Sequence, residues 1–291
     1  MKIIDCFTFF NELDLLEFRL KLLDSHVDHF VIAESNITHS GQPKPFYFSA
    51  NKKRFDRWLP KIIYLRVNQS AEGLVFTTET SYNPQSSAWK LENGQRNALK
   101  EAVSLIADDD LVLVSDLDEI PDPSLLKKIK PGESPLALSL LFHYYFLNCQ
   151  NIGNERWWNG TIASTGKQFK ATTPQELRDK RNDLPVIKKA GWHFSYLGGL
   201  EKIKQKIRSF AHTEFNKEEF LDDKNIMEAM EQGKDIFKRP GIHYKFVSTY
   251  YYPAFLRKAM LQYPQLLHLK VKDNLWDKLY FGIKNLFNRC L

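Results

Sequence analysis

A repeated order at the N-terminal end restricts the fold of this chain most: an apolar, β-friendly run, then helical periodicity, then another such run. "KIIDCFTF" at 2–9 is mostly apolar and rich in β-branched and aromatic residues, which suits a buried strand. Asn11 stands where a helix N-cap is expected, with Asp14 at the reciprocal third position. Leu13, Leu16, Leu20 and Leu23 then recur at helical spacing and carry a helix to about Asp24. "DHFVIAES" (28–35) and "KIIYLRV" (61–67) supply two more strands, separated by a loop-like and then polar, helical stretch. "LENGQRNALKEAVSLI" (91–106) places Leu99, Val103 and Ile106 at helical spacing, and "DDDLVLVSD" (108–116) delivers a fourth strand. Strands alternating with helices predict parallel βαβ units in a doubly wound α/β sheet. In such sheets ligands sit outside the carboxyl ends of the strands.

After Pro131 the pattern loosens. "PLALSLLFHYYFLN" (135–148) reads as a long strand or half a hairpin, and "RWWNGTIAS" as a Trp-rich turn into a further strand. "AGWHFSYLGG" (190–199) reads as a strand ending in paired glycines, followed by the helix "LEKIKQKIRSFAH". The net charge of +6 is unevenly distributed. Residues 231–291 carry eleven Lys/Arg against four Asp/Glu, whereas the first 230 carry thirty against thirty-one. The division expected is therefore a near-neutral body over 1–230 and a basic helical extension over 231–291. The neutral body and its acidic strand end argue against nucleic acid as a partner. Cys6, Cys149 and Cys290 form neither a C-x-x-C pair nor an even set, so neither zinc nor a disulfide framework is indicated. No apolar run approaches the roughly 18 residues that a membrane span needs.

The strongest chemical signal is "DLVLVSDLDEIPDP", where a strand runs into Asp116, Leu117, Asp118 and Glu119 and a proline follows. Carboxylates repel one another unless something positive stands between them. Asp116 and Asp118, two apart on extended backbone, point the same way. Such a pair at a strand end suits a hard divalent cation, Mg²⁺ or Mn²⁺, and a reaction in which phosphate leaves. Two chemistries compete for the pattern. A metal-dependent phosphohydrolase of the haloacid-dehalogenase type uses one Asp as nucleophile and the second as acid/base. A nucleotide-sugar transferase instead holds a diphosphate through the metal. The first class usually carries its motif on the first strand, whereas here it lies in mid-chain.

"FNELDLLEFRL", "VIAESNITHSGQPKP", "QRN", "LVLVSDLDEIP", "AGWHFSY" and "KIRSFAHTEF", taken together and in this order, resemble glycosyltransferase family 17. The resemblance implies a GT-A-like α/β fold: a Rossmann-type nucleotide-binding half with a mostly parallel sheet, then an acceptor-binding half. It also implies an inverting, metal-dependent transfer from a UDP-sugar, UDP-N-acetylglucosamine above others, to a glycan or lipid-linked glycan. By the same resemblance Asp116 and Asp118 are the metal and nucleotide ligands, joined by His193, with Glu119 orienting them. Glu34, Gln95, Arg96 and Asn97 are candidates for donor binding. An inverting transfer also needs a carboxylate to take the acceptor proton, and Glu214, Asp183 and Glu119 are candidates. Trp157 and Trp158 offer flat apolar faces to an acceptor sugar.

The chain opens directly on its first strand, without the membrane anchor of the family's animal relatives, which predicts a cytoplasmic, bacterial or viral setting. "NLWDKLYFGIKNLFNRCL" puts Leu275, Trp276, Leu279, Tyr280, Ile283, Leu286 and Phe287 on one helical face, with Lys278, Lys284 and Arg289 away from it. That is the pattern of a peripheral, interfacial membrane helix.

Overall fold

The computed structural model describes residues 1–271. Four strands near the N-terminus, β1 (Ile3–Phe9), β2 (His29–Ser35), β3 (Ile62–Val67) and β4 (Leu111–Asp116), pair in parallel in the order β3-β2-β1-β4. Their side chains show why. Phe7, Phe30, Ile32, Leu111 and Leu113 enter one core cluster, and Ile4, Cys6, Val31, Ala33, Val112 and Val114 enter another. Strands buried on both faces need helices on both faces, as parallel sheets do. The first face is covered by the helix Leu13–Leu23 through Leu16, Phe18, Leu20 and Leu23; the second is covered by Leu99, Ala102, Ile106, Phe169 and Leu177.

The sheet then changes character. β5 (Glu119–Pro121) follows β4 after a two-residue turn, and β6 (Leu136–Tyr144), β7 (Cys149–Asn151) and β8 (Trp157–Thr165) add antiparallel pairs. β8 lies between β4 and β6 and so joins the parallel half to the second half. β9 (Val186–Ile187) pairs with β6, β10 (Gly191–Ser195) lies between β5 and β6, and β11 (Tyr244–Phe246) extends the β7 edge. The expected α/β class and the parallel half are therefore present. Part of the stretch expected to form a basic extension packs into this body: Leu256, Met260 and Leu266 share the core cluster of Phe18. The interfacial helix expected at 274–291 lies outside the described residues.

Local details differ from the sequence reading in two places. Asn11 does not cap the first helix; Glu12 occupies the N-cap position, and the Asn11 amide side chain donates to Gln205 at 2.7 Å. The expected helix over 91–106 is an α-helix only over Ser87–Asn97, capped by Ser86, and continues as a 3₁₀ segment, Ala98–Leu105. Among the described residues no helix is long and apolar enough to cross a membrane.

Candidate active site

A cavity of about 510 Å³ opens at the carboxyl ends of β1, β2 and β4. Asp116, Leu117, Asp118 and Glu119 line it, together with side chains from the elements of the second half. The turn is held from below by a residue with no sequence signal. Arg19, fully buried on the Leu13–Leu23 helix, donates to the backbone carbonyls of Asp116 (2.9 Å), Leu117 (2.9 Å) and Glu119 (3.0 Å). It also donates to Ser115 Oγ and pairs with both oxygens of buried Asp5 on β1. Three carbonyls fixed by one guanidinium leave the turn little freedom, because Arg presents its donors in a rigid fork.

The positive charge that the carboxylates require comes from residues distant in sequence. Asp116 Oδ1 accepts from Arg96 at 2.9 Å and from Thr8 Oγ1 at 3.1 Å, and its Oδ2 from Arg178 at 2.7 Å. Burial would raise its carboxyl pKa, but Arg178 and Arg96 outweigh burial and hold it well below the usual carboxylate range. Asp118 lies 2.9 Å from Lys206 Nζ and 3.4 Å from His193 Nε2. There too burial is outweighed, first by Lys206 and then by His193, and the pKa is lowered. Lys206 in return is held above the ordinary lysine range by Asp118, against burial. Glu119 is fully buried: Trp158 Nε1 donates to its Oε1 at 2.6 Å, the Asp116 amide to its Oε2 at 2.9 Å, and Arg178 contacts both oxygens.

The other sequence candidates fall into two groups. His193, Glu214, Trp158, Gln95 and Arg96 line the same cavity as the Asp cluster. His193 stacks on Phe142 with ring centroids 4.6 Å apart, and its Nδ1 is buried without a hydrogen-bond partner. Glu214 Oε1 accepts from His212 Nδ1 at 2.8 Å; burial, the largest single influence, raises the carboxyl pKa, but the His212 hydrogen bond, a backbone hydrogen bond and the charges of His212 and Lys217 together outweigh it, and the group lies below its ordinary value. Gln95 donates to the carbonyls of Phe9 and Ala33, tying the ends of β1 and β2 beside the cavity. Glu34, Asn97, Trp157 and Asp183 are not among the cavity's lining residues. Glu34 accepts from the Phe48 amide (3.0 Å), Tyr64 Oη (2.8 Å), Lys44 Nζ (3.1 Å) and the Tyr47 amide, so its carboxylate holds the start of the Tyr47–Ala50 helix. Asn97 Oδ1 accepts from the Gln175 amide. Trp157, next to Trp158 on β8, is 41% exposed. Alternation along a strand sends neighbouring side chains to opposite faces, which separates the two tryptophans.

Among the described residues no three His, Cys, Asp or Glu side chains gather as a metal-binding group. A two-donor arrangement does fit. Two ligands each about 2.1 Å from one ion stand roughly 3–3.5 Å apart, and Mg²⁺ is commonly held by one or two carboxylates plus substrate phosphates. Asp118 Oδ1 and His193 Nε2, 3.4 Å apart at the cavity wall, meet that spacing. Asp116, expected as a second carboxylate ligand, has both oxygens engaged by arginines.

The chain spans about a quarter of the curated relatives it matches. It is 28% identical over 139 residues to the rat and human proteins named beta-1,4-mannosyl-glycoprotein 4-beta-N-acetylglucosaminyltransferase, a match covering 45% of this chain and 24% of each relative. Among solved structures it is similar to an active-site mutant of LgtC (TM-score 0.33, 13% identity, 62% of this chain and 65% of that one). It is also similar to the inositol-1-phosphate CTP transferase from T. maritima (TM-score 0.33, 13% identity, 64% and 84%). The model of glycosyltransferase family 17 matches residues 1–267, nearly the whole of the described chain, and the chain belongs to that family.

Proposed function

We propose that this protein transfers a sugar, N-acetylglucosamine being the first choice, from a UDP-sugar to a glycan or lipid-linked glycan, with inversion at the anomeric carbon. The observation that carries the reading is the placement of the Asp116–Glu119 turn in a cavity of about 510 Å³ at the carboxyl ends of β1, β2 and β4. Its size suits a bound organic ligand, and its walls mix carboxylates with guanidinium and ammonium groups. Family membership and the printed names of the rat and human relatives favour the acetamido sugar.

Asp118 and His193 are proposed to hold a divalent ion, Mn²⁺ or Mg²⁺, with phosphate oxygens of the donor. Bound there, the ion would supply positive charge to the departing diphosphate. Lys206 beside Asp118, and the Arg96–Asp116–Arg178 array, add fixed positive charge on the same wall, and preorganised charge of this kind costs no reorganisation during reaction. Glu214 is proposed as the base. Its lowered pKa keeps it ionised at neutral pH, and His212 fixes its orientation. In a single displacement the acceptor oxygen bonds to the anomeric carbon as the bond to the diphosphate oxygen breaks. The hydroxyl proton passes to Glu214, and UDP leaves with the electron pair of the broken bond. Glu119, fully buried, is a positioning residue in this scheme. The family match gives the phosphohydrolase alternative no support.

Calorimetric titration with UDP, with and without Mn²⁺, tests the reading on wild type and on Asp118→Ala. Micromolar UDP binding that needs both the metal and Asp118 is expected. Absence of UDP binding in every condition would remove the proposal.

A further inference from the structure

Six lysine and arginine side chains line the cavity: Lys44, Arg96, Arg178, Arg181, Lys206 and Arg239. Five have carboxylate partners. Lys44 pairs with Glu34, Arg96 with Glu92 and Asp116, and Arg178 with Asp116 and Glu119. Lys206 pairs with Asp118 and Arg239 with Asp235. Among the described residues Arg181 alone of the six has no carboxylate within ion-pair distance. Its guanidinium lies over the Trp158 ring, 4.7 Å from the centroid. Trp158 is itself locked, with Nε1 bonded to Glu119 and its ring against Phe142 and His193. The platform under Arg181 is therefore rigid, and its planar donors stay free for another group.

The electrostatics agree. Burial comes first and repulsion from Arg178 second among the influences that make Arg181 a weaker holder of its proton than an ordinary arginine; the more distant Glu119 and Asp116 act in the opposite sense without prevailing. Both carboxylates are already engaged by neighbouring arginines. A half-buried cation stacked on an aromatic face, beside another cation and lacking a counter-charge, has its donors available to an anion from outside the chain. Guanidinium groups bind phosphate oxygens with two parallel hydrogen bonds where geometry allows.

We infer that Arg181 is the anion-binding residue of this cavity and contacts the diphosphate of the nucleotide-sugar donor. Arg96, one of the donor-binding candidates named from the sequence, has its guanidinium spent instead on Glu92, Asp116 and Gln175. Naming the anion as a donor diphosphate rests on the transferase reading; the presence of an anion site does not.

Calorimetry on the full chain with three probes, UDP, uridine and inorganic pyrophosphate, tests this on wild type, Arg181→Gln and Arg181→Lys. Loss of a charge-assisted contact should weaken UDP and pyrophosphate binding to the Gln variant by about 10- to 100-fold. Uridine affinity should not change, and the Lys variant should recover part of the loss, since lysine keeps the charge without the fork. Equal UDP and pyrophosphate affinity in wild type and Arg181→Gln overturns the inference and leaves the transferase reading standing. A parallel loss of uridine binding also overturns it, because Arg181 would then be acting through the fold. If wild type binds pyrophosphate but not UDP, and Arg181→Gln loses pyrophosphate, the anion site stands and the nucleotide-sugar reading falls. Binding of neither UDP nor pyrophosphate by wild type removes both.

Discussion

At the scale of single residues, the site depends on carboxylates that stay ionised because cations far away in sequence face them. Asp118→Ala leaves Lys206 without its shortest ion pair and His193 without its carboxylate neighbour. Removal of a charge-assisted ligand of this kind should lower turnover of UDP-sugar by at least roughly 100-fold, with the loss in kcat/KM measured by release of UDP. Gly160 is the second informative position. A Cβ there would lie 2.5 Å from the Glu119 carboxyl carbon and 2.7 Å from the Trp158 ring. Neither neighbour has room to retreat, since Glu119 is bonded to Arg178, Trp158 and the Asp116 amide. Gly160→Ala should cost roughly 1–3 kcal/mol, the usual range for overpacking, and should weaken UDP binding as Glu119 is displaced; urea unfolding and calorimetry read the two effects. The acidic turn was legible in the sequence because three carboxylates between an apolar run and a proline have few structural uses. Arg178, Arg181 and Lys206 were not legible. A basic residue in "QELRDKRND" or "LEKIKQKIRSF" is indistinguishable there from one on a solvated face.

At the scale of elements, the first helix both covers the sheet and carries the pin of the acidic turn. Its apolar spacing announced the covering face, but Arg19 sits among Leu16, Phe18, Leu20 and Leu23 with nothing in the periodicity to mark it. Breaking a buried ion pair by removing one partner typically costs about 3–5 kcal/mol, because an uncompensated charge remains. Arg19→Leu should fall in that range by urea denaturation. The double variant Arg19→Leu/Asp5→Leu should recover much of the stability, since the orphaned Asp5 charge is gone. It should not recover activity, because the carbonyls of Asp116, Leu117 and Glu119 still lack their common donor. Recovery of both would show that the pin is a matter of stability alone. The β4–turn–β5 segment illustrates the same division. Its strand was visible as an apolar run, whereas its antiparallel pairing with β10, which sets His193 opposite Glu119, depends on residues some 70 positions apart.

At the scale of the whole molecule, one continuous sheet joins a parallel half to a mixed half, and the cavity lies where the two meet. Charged and neutral buried groups on both sides make stability depend on pH. His143, in the core of the second half, is pushed by burial down to about 3 from its ordinary value. Its unfolded pKa is about 6.5, so the unfolded chain binds the extra proton between those values. The stability it contributes is complete above about pH 6.5 and declines as the pH falls toward about 3. Asp116 and Asp118, both lowered, contribute stability that is complete above about pH 4 and is lost below it as they protonate. Tm measured by calorimetry should therefore fall gently from about pH 6.5 to about pH 4.5 and steeply below about pH 4. His143→Gln should flatten the upper segment, leaving a residual slope from His26 and His268, which are lowered as well; an unchanged slope would remove His143 as its cause. What the sequence by itself determined is the α/β class, the alternation of strands and helices through β4, and the acidic turn at a strand end. All of these follow from local periodicity and propensity, which act over a few residues. Only the tertiary structure decided what neutralises that turn. Arg19, Arg96, Arg178 and Lys206 come to Asp116–Glu119 from up to about a hundred positions away, and Arg181 is left with its charge unmatched. The physical reason is that electrostatic pairing depends on distance in space, which a linear pattern of residue types does not encode.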